Sequence, residues 1–159
     1  MEPLIVLVAV TLAILVAGAA GVRRLRHWSV ALRGGLAAMF VLTGVVHFAF
    51  MRAELISMVP PAMPSPGLIV TITGLLELAG AAGLLHRKTA PWAAGGLTAL
   101  LLAMFPANVY AALAGIANKS ADTLVPRTLM QIVFLSATIA VLTFHLRSRT
   151  TVQRKTKGI

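Results

Sequence analysis

Five polar side chains interrupt the apolar runs of this chain, and each is of a type that can hold a ligand or move a proton. Glu77 is the one carboxylate of "GLLELAGAAGLL" (74–85). His47 lies in "GVVHF" (44–48), Asn108 in "FPANVYAAL" (105–113), and Arg127 and Gln131 frame "RTLMQ" (127–131). An imidazole exchanges protons near neutrality, and a carboxyl joins it when its environment is tuned. A guanidinium pairs bidentately with carboxylates, and the two amides both donate and accept. These five are the candidates for ligand binding or proton handling; none is assigned a catalytic role. A metal centre is not expected. The chain has no cysteine, which excludes thiolate ligation, thiol catalysis and disulfides. His86 and His145 fall at the ends of their apolar runs, away from His47, a poor arrangement for haem or a metal cluster.

The elements that carry these residues follow from composition. Of the 159 residues 58% are apolar and 11% charged, and the mean hydropathy of +0.91 marks a membrane protein. About 20 apolar residues in a helix cross the hydrocarbon layer. Five segments qualify, at roughly 3–22, 33–50, 68–85, 92–114 and 124–146. They are apolar all round, whereas the strands of an outer-membrane barrel alternate. The expected fold class is therefore all-α, a transmembrane helical bundle forming one domain over 1–146, with a basic tail at 147–159.

Lys and Arg are distributed unevenly. Arg23, Arg24, Arg26, Arg33, Arg87 and Lys88 flank the first and third connections, and Arg147, Arg149, Arg154, Lys155 and Lys157 fill the tail; Arg52, Lys119 and Arg127 lie on the opposite side. By the positive-inside rule the N-terminus is outside and the C-terminus in the cytoplasm. The first span has Glu2 before it and "RRLRH" after it, the reverse of a cleavable signal, so it reads as a retained anchor. The formal charge of +10 is then topological and needs no nucleic-acid partner; the lipid bilayer is the partner that the composition does require.

At about 1.5 Å per residue, His47 lies about 5 Å below the outer end of its span, Asn108 and Gln131 each about 10 Å, and Glu77 about 14 Å, close to the midplane. All fall in the outer half. An ionisable group at such depth faces the bundle interior and has a partner. Gly74, Gly80 and Ala81, one turn from Glu77, let another helix approach it. His47 and Arg127 are the partners in reach, Arg127 by a bidentate pair. Pro106 removes a helical hydrogen bond, so the carbonyl of Leu102 is expected to be underused. A rigid apolar lid over the outer mouth is expected from "MVPPAMPSPG" (58–67), where proline restricts both itself and the residue before it.

Taken in order, "GVVHF", "MVPPAMPSP", "GLLELAGAAGLL", "FPANVYAAL" and "RTLMQ" resemble the DoxX-like family of small bacterial membrane proteins, over roughly residues 33 to 146. The resemblance implies a four-helix bundle of the bacterial inner membrane, with polar positions at His47, Glu77, Asn108, Arg127 and Gln131. Two departures are visible: an added span at 3–22, and Leu129 where the family pattern has proline.

Two functions remain open on this basis. The resemblance supports a subunit of, or accessory to, a membrane redox or quinone-linked system, whose polar pocket in the outer half of the bilayer takes a small polar or quinone-like molecule, with quinone the candidate cofactor and nothing attached covalently. It equally implies an assembly or scaffold protein, whose polar cluster is a structural clamp and whose Pro-rich loop docks a protein. A small transporter is disfavoured, because no inverted repeat is visible. Gly34, Gly35, Gly95 and Gly96 suit contacts within one chain or in a homo-oligomer equally well.

Overall fold

The computed structural model describes residues 2–116 and 124–157 and is helical throughout, with no strand among those residues. Helices α1 (Glu2–Ala19), α2 (Trp28–Val46), α3 (Arg52–Ser57), α4 (Pro66–Leu85), α5 (Ala90–Leu113) and α6 (Leu124–Lys157) follow one another, with a single 3₁₀ turn at Arg23–Leu25. All but α3 contain a stretch long and apolar enough to cross a membrane. Lys119, one of the residues weighed in the charge bias, lies outside the described residues.

The ends differ from those expected, for local reasons. Helix α2 begins at Trp28 because His27, in extended conformation, caps it: its Nδ1 accepts from the Ser29 backbone N–H at 3.4 Å and from the Ser29 hydroxyl at 2.9 Å. It ends at Val46, and Phe50 takes a left-handed φ of 58° in the turn that follows. Ser65, also left-handed, precedes Pro66, which opens α4 with its φ already helical. Helix α5 runs through Pro106 without interruption. Helix α6 has 34 residues, about 51 Å at the helical rise. That exceeds the roughly 30 Å hydrocarbon layer, so residues 147–157 continue the helix beyond the apolar stretch and form no separate coil.

Helix α2 packs between α1 and α4, and α5 between α4 and α6; α2 and α6 meet over a narrower seam. The core at that junction includes Leu7, Leu36, Met39, Phe40, Leu84, Leu97 and Val141. With lipid as solvent, dispersion packing and interhelical hydrogen bonds hold such helices together. Thr98 supplies one such bond, donating to Thr138 Oγ1 at 3.0 Å. At the end opposite His47, Trp28 stacks edge-on against Phe144 at 5.2 Å.

Candidate functional site

Close approach of α2 and α4 creates the site. A Cβ on Gly74 would come within 2.6 Å of the Cβ of His47, and one on Gly44 within 3.2 Å of the Gly74 carbonyl. The two glycines thus let the helices nearly touch where His47 follows the last turn of α2, and the imidazole is laid against Glu77, one turn along α4 from Gly74. Gly80 and Ala81 serve elsewhere: Gly80 faces Leu97 of α5, and Ala81 belongs to the core.

His47 and Glu77 are near each other without being bonded. His47 Nδ1 is 2.8 Å from the Thr43 carbonyl and 3.7 Å from Glu77 Oε2. A carbonyl can only accept, so Nδ1 carries the proton and gives it to Thr43. One hydrogen faces two acceptors, and the nearer takes it; 3.7 Å is too long for a hydrogen bond. Glu77 Oε2 is left with no hydrogen-bond partner, on a residue that is 4% exposed. Such an atom in a buried place costs about 1–3 kcal/mol.

The other three candidates stand on α5 and α6. Arg127 Nη1 donates to Asn108 Oδ1 at 3.2 Å and lies 3.9 Å from Met58 Sδ. It therefore braces α6 against α5 and the residue that ends α3, where a bidentate pair with Glu77 was expected. Gln131 Nε2 donates to a backbone carbonyl of α5 at 2.6 Å. That carbonyl belongs to Leu101, one residue before the one Pro106 was expected to free.

His47, Glu77, Asn108, Arg127 and Gln131 all line one cavity of about 390 Å³. Its remaining wall is mainly apolar, with Met39, Phe40, Leu101, Met104, Met130 and Phe134. Small-molecule sites typically occupy about 300–1,000 Å³ and pair an apolar lining with a few polar groups. Met51 and Leu55 line the cavity on the side of α3. Of the segment expected to form a lid, Met58 and Val59 are buried while Pro61–Ser65 is exposed, and none of these seven lines the cavity. Among the described residues no three His, Asp or Glu come together as a metal-binding group.

Four further residues contribute to the site or its support. Glu2 and Pro3, at the start of α1, line the same cavity; the available signal was an acid at the end of the first span on the same side as Arg127. Thr43 lies one turn before His47, a spacing at which a histidine can bond back to a helix carbonyl. Arg52 donates to the carbonyls of His47 (3.2 Å) and Gly67 (3.1 Å) and to Thr71 Oγ1 (2.9 Å), fixing the start of α3 to α4. Its sequence position indicated only a loop charge.

No curated protein and no solved structure matches the chain. A family model does match, from Leu36 in α2 through Arg147 in α6, leaving α1 outside. On that match, over residues 36–147, the chain belongs to the family described as Domain of unknown function (DUF8561).

Proposed function

We propose that this chain is a multi-pass protein of the bacterial inner membrane, N-terminus outside, that binds a small, largely apolar molecule in the cavity around Glu77 as a subunit of, or accessory to, a quinone-linked redox system. The observation that carries the binding half of this reading is the cavity itself. Five polar side chains from α2's end, α4, α5 and α6 converge on it, and one of them, the buried Glu77, has an oxygen without a partner. A clamp satisfies its own polar atoms; a binding site keeps some for its ligand. The redox half rests on the DoxX-like resemblance of the motifs, and the outward orientation on the charge bias. The test is decylubiquinone binding to the purified protein in nanodiscs, together with quinone reduction by membranes that contain it. Glu77→Leu, which removes every hydrogen-bonding atom at that position, is expected to weaken binding about ten-fold, the ratio for about 1.4 kcal/mol. Unchanged binding and reduction would count against the reading.

A second reading, an assembly or scaffold protein, is favoured by one feature. Phe50 is 98% exposed at a left-handed φ, and the Pro-rich turn that follows α3 is exposed at Met63. A photo-crosslinker at position 63 tests it, and a defined protein adduct is the expected result. Position 58 is unsuitable, because Met58 is buried.

A further inference from the structure

We infer that the cavity selects apolar molecules carrying a hydroxyl group, alcohol or phenol, and seats that hydroxyl against Glu77 Oε2 beside His47. This rests on the reading of the cavity as a binding site and adds the chemistry of its ligand.

His47 Nδ1 gives its hydrogen to Thr43, Gln131 Nε2 donates to Leu101, and Arg127 Nη1 donates to Asn108. Each of these hydrogens goes to an acceptor of the protein and Glu77 Oε2 receives none, so a donor carried by the ligand completes it. The other ring nitrogen of a neutral imidazole whose Nδ1 is protonated is also an acceptor. The His47–Glu77 corner is therefore acceptor-rich.

Three ligand groups can be compared there. A ketone or quinone oxygen only accepts, so it suits the carboxyl only when the carboxyl is protonated. An ammonium only donates, so it suits only the carboxylate, and it meets the Arg127 cation on the same cavity wall. A hydroxyl donates and accepts, and complements the carboxyl in either state. The apolar wall of Met39, Phe40, Met104 and Met130 accommodates the rest of the molecule.

The four lining methionines, Met39, Met51, Met104 and Met130, allow a direct test, with exposed Met63, which is absent from the cavity lining, as a control. The full chain in nanodiscs, with ¹³C-labelled methionine methyl groups, is titrated with 4-heptylphenol, with its methyl ether 4-heptylanisole, and with 4-heptylbenzylamine. The phenol is expected to shift the cavity methyls, leave Met63 unmoved, and bind about ten-fold more tightly than the ether, the ratio for about 1.4 kcal/mol. In Glu77→Leu that ratio should fall to near one with ether binding retained. If phenol and ether bind equally to the unmodified chain, the hydroxyl preference is overturned while the cavity remains a binding site. Tightest binding of the amine overturns it in favour of a counter-ion site. If none of the three moves a cavity methyl, the reading of the cavity as a site fails as well. The comparison in the unmodified chain does not depend on the variant folding.

Discussion

Helices α2 and α4 carry a buried charged residue toward each end of their contact, and the two residues are treated in opposite ways. At one end Arg33 of α2, 9% exposed, donates Nε to the Leu84 carbonyl at 2.7 Å and Nη2 to the Leu85 carbonyl at 2.9 Å. Those carbonyls belong to the last turn of α4, where helix geometry leaves them without intrahelical partners and where a cation is favoured by the helix dipole. Toward the other end Glu77 of α4 meets His47, whose hydrogen is already given away. The first arrangement is a closed cap, and its chemistry is exhausted by holding two helices together. The second has an acceptor left over and a cavity beside it. Burial alone thus does not tell the two residues apart; the unspent acceptor and the adjoining cavity do.

This contrast can be broken at either end. The largest effect is expected from Arg33→Leu, which strands the buried Leu84 carbonyl and removes a bond to the more exposed Leu85 carbonyl: a loss of roughly 3 kcal/mol of stability, from about 1–3 kcal/mol for the buried group left unsatisfied and about 1 kcal/mol for the second bond. Denaturation in mixed micelles measures it. Gly74→Val should follow, since its branched side chain must displace His47 from α4; overpacking of this kind costs about 1–3 kcal/mol. The same variant should also abolish ligand-induced shifts at Met39 and Met104, which Arg33→Leu, in whatever fraction folds, should leave intact. Asn108→Ala removes the acceptor of Arg127 and should cost about 1 kcal/mol, detectable as a lower unfolding midpoint. The smallest change is expected from Thr98→Val, the loss of one interhelical hydrogen bond averaging about 0.6 kcal/mol.

The fold was readable because hydropathy is strong wherever lipid is the solvent: the five apolar runs are the five long helices. Helix α3 was not, since six residues after a turn carry too little periodicity to stand out. The tail's helicity is encoded locally, as Arg, Lys and Gln are good helix formers and "LRSRTTVQRKTK" contains no Pro or Gly to stop a helix. Depth along each span was enough to group His47, Glu77, Asn108, Arg127 and Gln131, because position along a helix fixes height in the membrane. Which atoms bond to which was not legible. That Nδ1 of His47 turns to Thr43, or that Gln131 finds Leu101 in place of Leu102, depends on shifts of an ångström that residue types do not encode. Glu2 was missed because it was weighed only as a mark of the N-terminal segment, while the folded α1 brings it to the cavity wall.

The account's central claim is that Glu77 is kept for a ligand and does not hold the bundle together. Unfolding of Glu77→Leu, measured beside the unmodified chain in the same micelles, tests this most directly. Removal of a buried carboxyl, one oxygen of which lacks a donor, should leave stability unchanged or raise it by about 1 kcal/mol. A loss comparable to that of Arg33→Leu would mean that Glu77 is a second clamp, and would contradict the account.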